Sequence, residues 1–204
     1  MKEIRTFDFE VRADVDEEHG HMLTGQPIVY NERTNLGWYD EIIADNALAE
    51  TDLRDVRFLI NHNTDMIPLA RSRNNNANST MQMEVQEGKG MFIRVDLDTE
   101  NNAEAKSLYS AVERGDISGM SFMFTVDGES WEDIESEHPT RTVTNISKVF
   151  EVSAVTFPAY EATSIQARGL ADALDSAKAS LESVRAEARE VERKKHKIKI
   201  LTEV

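Results

Sequence analysis

Short segments in which apolar and polar side chains alternate recur along most of the chain, and this period of two limits the fold more than any other feature. The clearest example is ISGMSFMFTV at residues 117–126. Successive side chains of a strand point to opposite faces, so one face here is uniformly apolar and consists of Met120, Phe122, Phe124 and Val126. That face belongs in a core. The opposite face carries Ser121 beside Gly119, and a buried hydroxyl needs a hydrogen-bond partner.

The same alternation predicts further strands on both sides of this segment. They are IRTFDFEVRA, LTGQPIVYN, VRFLINHN, the hairpin STMQMEVQEGKGMFIRVDLD, and KVFEVSAVTFPAY. NNAEAKSLYSAVERG instead has helical spacing, with Gly115 as the residue that ends the helix. Asp45 or Asn46 is expected to cap a short helix, and WEDIESEHPTRTVTNIS is expected to form a hairpin or loop. The predicted fold class is therefore α+β, mainly β.

Composition sets broad limits on size and partners. With 204 residues, of which 40% are hydrophobic, the chain can form one domain with an appendage or two small domains. Its net charge of -15 disfavours nonspecific binding to nucleic acid and to anionic lipid. The absence of cysteine excludes disulfides and thiolate chemistry. No apolar run has the length of a membrane span and the N-terminus lacks a signal-peptide core, so we expect synthesis in the cytoplasm.

The apolar pattern changes near Arg168. Steps of four and three residues then follow one another, as in the a and d positions of a heptad repeat, at Leu170, Leu174, Ala177, Leu181, Val184, Ala188 and Val191. We therefore predict a domain at residues 1–168 and a C-terminal amphipathic helical tail at residues 169–204. Two roles remain open for the tail. It could pack on its own domain, or it could self-associate or dock onto another helical protein through Leu170–Val191.

Three of the predicted strands each carry one reactive polar side chain. His62 continues the apolar row at the end of its strand, Ser121 lies in the strand described above, and Glu151 shares a face with Val149 and Ser153. A serine becomes a nucleophile when an imidazole takes its proton, and an acidic group can fix the tautomer of that imidazole. His62, Ser121 and Glu151 can fill these three roles.

Each of the three also has an ordinary structural role open to it. A histidine at a strand end and a serine within a strand are most often packing residues. Glu151 could instead form an ion pair with an arginine such as Arg71, because a carboxylate among apolar neighbours is costly to bury unpaired. From these patterns alone, catalysis and structural roles both remain open.

No phosphate-binding, dinucleotide-binding or EF-hand motif occurs in the sequence, and we expect no cofactor. The HGH sequence at residues 19–21 could ligate a metal, but two histidines in a loop are far more often without one. A metal-binding β-domain that uses His19, His21 and His62 is therefore a distant alternative, and we expect no bound metal.

Four motifs follow one another in a specific order. They are an E-I-I-x-x-x-A-L segment, a strand ending in N-H-N, a G-x-S-F-x-F strand and an E-V-S-x-V-x-x-P-A strand. In this order they resemble the prohead (procapsid maturation) serine proteases of HK97-type tailed bacteriophages. The resemblance extends from about Gly25 to about Ala167.

This resemblance implies a fold similar to that of the herpesvirus assemblin protease, an assemblin-like β-barrel with surrounding helices. It maps the nucleophile to Ser121, the general base to His62 and the acidic third member to Glu151. By analogy with assemblin it also points to the backbone N–H of Ala159 or Tyr160 as the oxyanion-hole donor. Gly119, beside the serine, leaves room for a substrate chain to approach closely.

The activity implied by the resemblance is that of a serine endopeptidase, packaged inside the procapsid in the host cytoplasm. Its expected partner is the major capsid protein, from which it would cut the scaffold segment before cutting itself. The helix of Leu170–Val191 would recruit it to scaffold segments, and neither a nucleic-acid nor a membrane partner is expected. The alternative is a catalytically silent structural or scaffolding protein of the virion that keeps the protease barrel.

Overall fold

The computed structural model describes residues 2–7, 11–16, 20–156 and 164–202, which form eleven strands and two helices. Seven strands make the larger sheet, namely β1 (Lys2–Phe7), β4 (Arg33–Asn35), β5 (Asp40–Ile43), β6 (Asp55–Ile60), β7 (Ala70–Arg73), β10 (Gly119–Glu132) and β11 (Thr140–Val155). Four make the smaller sheet, namely β2 (Val11–Asp16), β3 (Gly20–Val29), β8 (Met81–Gln86) and β9 (Gly90–Asp96). The helices are α1 (Ala103–Glu113) and α2 (Ser164–Thr202). The fold is α+β and mainly β, as predicted.

The long antiparallel pair β10–β11 is the centre of the larger sheet. β1 pairs antiparallel with the free edge of β10. The other edge of β11 pairs in parallel with β5 near its start and with β6 near its end. The sheet therefore branches at β11. Over the residues that the structure describes, the pairing closes neither sheet, so the expected assemblin-like β-barrel is not confirmed.

One cluster of buried apolar side chains joins the two sheets and α1. It includes Leu23 and Ile28 from β3, Val95 from β9, Phe122 and Phe124 from β10, Val152 from β11 and Leu108 from α1. The apolar face predicted for ISGMSFMFTV is confirmed, because Met120, Phe122 and Phe124 are completely buried and Val126 packs against the same cluster. Burying each of these large side chains stabilises the fold by about 1.5–3 kcal/mol.

Helix α1 begins and ends where the sequence predicted. The side chain of Asn102 caps it by accepting hydrogen bonds from the backbone N–H groups of Glu104 and Ala105, at 2.9 and 3.2 Å. Gly115 follows the helix with φ +77°, a conformation that glycine adopts without steric cost. The helix contacts β2 and β3 and leads directly into β10.

Two local predictions are wrong. Residues 45–50 form turns rather than a short helix, and Asn46 lies in the left-handed region with φ +63°. The single strand expected at IRTFDFEVRA is divided between β1 and β2, which belong to different sheets. Alternation reports which faces are buried, but it does not report which sheet a strand joins.

The middle of α2 packs on the larger sheet. Ala177 is completely buried and Leu181 is 3% exposed. The indole N–H of Trp131 donates to Ser180 Oγ at 3.1 Å, and Arg185 Nε donates to the carbonyl of Ile134 at 2.6 Å. Within the described residues, the packing alternative therefore holds for this part of the helix.

The C-terminal part of α2 is exposed from Val191, which is 50% exposed, to Ile198, which is 61% exposed. The side chain of Leu170 lies outside the described residues. The division of the chain at residues 168 and 169 stays a prediction. None of the described helices is apolar over a stretch that could cross a bilayer.

Candidate active site

Strand pairing brings three polar side chains to one face of the larger sheet. Ser121 on β10 is directly opposite Ser153 on β11, and Met123 is opposite Glu151. Directly opposed residues share a face, so Ser121, Ser153 and Glu151 lie on the face opposite the core. β6 runs parallel to β11 and its last residue, Ile60, pairs with Ala154. The turn that follows β6 therefore lies beside Ser153 and Ala154 of β11.

A β-bulge at Phe150 sets the direction of Glu151. Met123 pairs with Glu151, but the next residue, Phe124, pairs with Val149, so Phe150 is the extra residue. Val149 therefore lies with Phe124 on the core face, and Glu151 lies on the opposite face. The prediction that Val149 and Glu151 share a face is wrong, because strict alternation cannot register an inserted residue.

His62 reaches the site through a turn. β6 ends at Ile60, and both Asn61 and His62 lie in the left-handed region, with φ +51° and +56°. The prediction that His62 continues the row of the strand is therefore wrong. This conformation costs about 1 kcal/mol or more for each non-glycine residue, so other contacts must hold it. One is a two-way clamp: Asn61 Nδ2 donates to Thr156 Oγ1 at 3.0 Å, and the Thr156 N–H donates to Asn61 Oδ1 at 2.9 Å.

The three side chains singled out from the sequence form one hydrogen-bonded chain. His62 Nε2 is 2.6 Å from Ser121 Oγ, and His62 Nδ1 is 2.5 Å from Glu151 Oε1. An ionised carboxylate only accepts, so Nδ1 carries the proton and Nε2 of the neutral ring accepts from the serine hydroxyl. Arg71, the alternative partner of Glu151, instead pairs with Asp55 at 2.6 Å.

Ser153 belongs to the same cluster, and the sequence reasoning missed it. Its hydroxyl donates to Glu151 Oε2 at 2.5 Å and accepts the backbone N–H of His62 at 3.1 Å. It is completely buried. The available signal was its position two residues after Glu151, which places both side chains on one face of a strand.

The site is largely closed to solvent in this structure. Ser121 is completely buried, Glu151 is 2% exposed and His62 is 7% exposed. His62 nevertheless lines a cleft of about 840 Å³ between the loop that follows β6 and one side of α1. The apolar lining of this cleft is Ile60, Met66, Ala103, Leu108, Ala111 and Ile117. A peptide chain therefore has room beside His62, although the side chain of His62 is itself only 3% exposed.

The backbone of β1 also contacts the serine. Ser121 Oγ is 2.7 Å from the carbonyl oxygen of Arg5, which competes with His62 for the hydroxyl proton. Protonation of the imidazole would make Nε2 a donor to Ser121 and direct the serine proton to Arg5. The neutral imidazole is therefore the form that can take the serine proton.

Buried ion pairs hold β1 in this position. Arg5 Nη2 lies 2.6 Å from Glu3 Oε2 and 2.7 Å from Glu41 Oε2, and Arg141 Nη1 lies 2.7 Å from Glu3 Oε2. Burial alone would raise the pKa of the Glu3 carboxyl, but the hydrogen bond from Arg141 and the charges of both arginines outweigh it and lower that pKa below its usual value. Glu129 also pairs with Arg141.

The remaining predicted site residues are only partly covered by the structure. Gly119 is the first residue of β10, is buried and pairs with Val155. Ala159 and Tyr160 lie outside the described residues. His21 hydrogen-bonds to Thr99 at 2.8 Å, at a separate place from the cluster of His62.

The described residues contain no cluster of three or more histidines and carboxylates that could hold a metal. His19 lies outside them. The cluster of His62 has the composition of an acid–base relay that can take the proton of a serine hydroxyl.

The family relationship follows from a comparison with known proteins. A model of the family described as caudovirus prohead serine protease matches residues 7–176, a range that contains all four residues of the cluster. The chain belongs to this family. The resemblance seen in the sequence motifs is thereby confirmed, and the protein is a serine peptidase.

One curated relative and one solved structure show how far the similarity extends. The prohead protease of Enterobacteria phage HK97 is 28% identical over 180 residues, which span 85% of this chain and 72% of that protein. The solved structure of the bacteriophage T4 capsid assembly protease is 13% identical, with a TM-score of 0.45. The match covers 78% of this chain and 98% of that chain.

Proposed function

We propose that this prohead protease is an endopeptidase in which Ser121 is the nucleophile, His62 the general base and Glu151 the group that orients His62. The observation that carries the proposal is the continuous hydrogen-bonded chain from Ser121 Oγ through both ring nitrogens of His62 to Glu151. Its order is that of a serine, base and acid triad, which is recognised by geometry rather than by order along the chain.

In the proposed reaction, Ser121 Oγ attacks the scissile carbonyl carbon while its proton passes to His62 Nε2. The tetrahedral intermediate collapses, the C–N bond breaks and the leaving amine takes the proton from the imidazolium. Water then attacks the acyl-enzyme and gives a proton to His62, which returns it to Ser121 as the ester bond breaks. Glu151 keeps the Nδ1–H in place and stabilises the imidazolium formed in both halves.

The substrate is proposed to approach along the cleft beside His62, because this is where the relay meets open volume. Its carbonyl oxygen requires backbone N–H donors. The candidates for these donors and for close approach of the substrate backbone remain Gly119, Ala159 and Tyr160.

The proposed substrate is the major capsid protein, with the scaffold segment as the piece removed and the protease itself as a later substrate. The description of the family, caudovirus prohead serine protease, supports a site of action in the phage prohead. The name of the HK97 relative, a prohead protease, supports capsid maturation as the process. The work would take place inside the procapsid in the host cytoplasm. The exposed end of α2 is proposed to recruit the enzyme or to mediate self-association.

A fluorophosphonate probe tests the catalytic part of the proposal without a peptide substrate. Ser121 Oγ would attack phosphorus, fluoride would leave, and the proton would pass to His62. Wild-type protein is expected to gain one adduct that maps to Ser121. Ser121→Ala should gain none, and Ser118→Ala, which removes an exposed serine just before β10, should react like the wild type. An unlabelled wild type, or an adduct elsewhere, would contradict the proposal.

A further inference from the structure

We infer that Ser153 is a positioning residue, which holds the imidazole of His62 and the carboxylate of Glu151 in the arrangement that activates Ser121. The inference rests on the proposed peptidase function. Neither the strand pattern nor the family motif assigns a task to this side chain.

The hydroxyl of Ser153 makes both bonds without conflict. It has one proton, which goes to Glu151 Oε2 at 2.5 Å, and it has lone pairs, one of which accepts the His62 N–H at 3.1 Å. Both partners belong to the relay, and both bond to the same oxygen. A single atom therefore connects the acid to the backbone of the base.

Each of these bonds restricts a motion that would misalign the relay. Glu151 Oε1 receives the Nδ1–H of His62, but a carboxylate held at one oxygen can still rotate about its terminal torsion. The bond to Oε2 fixes that torsion. His62 has φ +56°, and its N–H would be unpaired in a turn of this kind without the serine oxygen. Ser153 therefore fixes the ring through its backbone and the carboxylate through its second oxygen.

Ser153 is itself held rigidly. It lies in the middle of three strands, opposite Ser121 on β10 and opposite Leu59 on β6. It is completely buried, so no solvent competes for its hydroxyl. The bonds of Ser153 go to two members of the relay, whereas an equally buried serine on another strand of the same sheet makes none. That serine is Ser72 on β7, whose Oγ has no hydrogen-bond partner within the described structure.

This contrast supplies a matched pair of variants. Ser153→Ala and Ser72→Ala each remove one completely buried hydroxyl from a strand of the same sheet. We expect Ser153→Ala to slow fluorophosphonate labelling of Ser121 by roughly 10- to 100-fold, the usual effect of removing a hydrogen bond to a charged group. Ser72→Ala should label at the wild-type rate. Ser153→Cys keeps the shape of the side chain but has a weaker donor. Its labelling rate should therefore fall between the rates of Ser153→Ala and the wild type.

Two further readouts separate positioning from general destabilisation. If Ser153 acts through Glu151, adding Ser153→Ala to Glu151→Gln should slow labelling by roughly threefold or less. The proton between His62 Nδ1 and Glu151 should give a strongly downfield NMR resonance. Ser153→Ala should shift or broaden that resonance, and Ser72→Ala should leave it unchanged.

The outcomes distinguish this inference from the proposed function. If wild-type protein is not labelled at Ser121, the proposed function fails and the inference falls with it. If wild-type protein is labelled and Ser153→Ala reacts at the same rate with an unchanged Nδ1 proton resonance, the positioning role is overturned while the peptidase stands. If Ser153→Ala does not fold, the decision passes to Ser153→Cys, where a rate equal to that of the wild type would overturn it.

Discussion

The imidazole of His62 lies between two groups that require it in a single orientation. Glu151 needs a proton on Nδ1, and Ser121 needs a free lone pair on Nε2. A neutral imidazole can satisfy both in one tautomer only. The chemistry of the site is therefore set by which nitrogen carries the proton, and Glu151 decides that.

Replacing this carboxylate by an amide tests the argument. Glu151→Gln can present an N–H to Nδ1, which favours the tautomer whose Nε2 is already protonated and cannot accept from Ser121. We expect kcat for capsid-protein cleavage to fall roughly 10³- to 10⁴-fold with KM little changed. Glu87→Gln, in the exposed turn between β8 and β9, should leave kcat unchanged. A fall of less than tenfold in Glu151→Gln would show that the carboxylate does not set the tautomer.

The turn that carries His62 is held by the side chain of Asn61. Asn61→Ala removes both bonds to Thr156 and places alanine at φ +51°. We expect it to lower the free energy of unfolding by about 2–4 kcal/mol in denaturant titrations. Asn74→Ala is the control, because Asn74 has φ +53° in an exposed turn. It should cost only about 1 kcal/mol. Equal losses in the two variants would mean that the Thr156 clamp contributes nothing.

The sequence indicates well which residues are candidates for the site, and it indicates poorly how those residues are arranged. His62, Ser121 and Glu151 stand out because each is a polar side chain in an apolar strand. Ser153 does not stand out, because its bond to the backbone of His62 depends on pairing between strands distant in sequence. The left-handed turn at Asn61 is likewise invisible to a pattern of alternation.

Strand β1 is attached to its neighbours partly through buried charges. It lies at the edge of the larger sheet, and its Arg5 carbonyl contacts Ser121. The buried pairs of Glu3 and Arg5 with Glu41 and Arg141 join it to β5 and β11. Losing one member of such a network leaves an uncompensated buried charge, which is more costly than the pair is stabilising.

The lowered pKa of Glu3 makes this attachment dependent on pH. A carboxyl whose pKa is lower in the folded state than its usual 4.5 stabilises the fold when both states are ionised, and this contribution is lost as the pH falls below that value. Glu3→Gln should therefore lower the free energy of unfolding by about 3–5 kcal/mol at pH 7. The difference from the wild type should shrink when unfolding is measured below pH 4. The exposed Glu32→Gln is the control. A difference that stays constant with pH would remove Glu3 ionisation as its cause.

Helices and strands were predictable where they follow from a local sequence pattern. They were unpredictable where their geometry depends on the pairing of strands. The helix at α1, the β8–β9 hairpin and the core face of β10 follow from spacing and turn residues. The branch at β11 and the bulge at Phe150 do not, because both depend on which strand lies alongside.

The whole molecule combines an acidic body with a helix whose C-terminal end is basic. The chain carries a net charge of -15, whereas residues 193–197 read RKKHK. The middle of α2 is anchored on the sheet, and its later residues are exposed. A basic, exposed helix end is complementary to acidic surfaces, whether those of a separate protein or the acidic body of a second copy.

Deleting residues 191–204 tests recruitment by this end. The deletion spares Ala177 and Leu181, so the thermal midpoint should change by no more than about 2 °C. Fluorophosphonate labelling should also persist. Incorporation into procapsids during coexpression with the capsid protein should fall at least fivefold. Unchanged incorporation would exclude a recruiting role for these residues.

For the molecule as a whole, the order of the motifs predicted the family, and the alternation of apolar and polar residues predicted a mainly β protein. The closed barrel expected from the family resemblance is not confirmed in the described pairing. Whether a sheet closes depends on long-range edge contacts that no local pattern encodes.

The role of Ser121 as the nucleophile can be tested by the intact mass of the capsid protein after coexpression with the protease. Wild-type protease and Ser118→Ala should both yield a capsid protein shortened by one defined segment, and Ser121→Ala should leave it at full length. A capsid protein that stays at full length with the wild type, or is shortened equally with Ser121→Ala, would contradict the assignment of Ser121 as the nucleophile of a capsid-maturation peptidase.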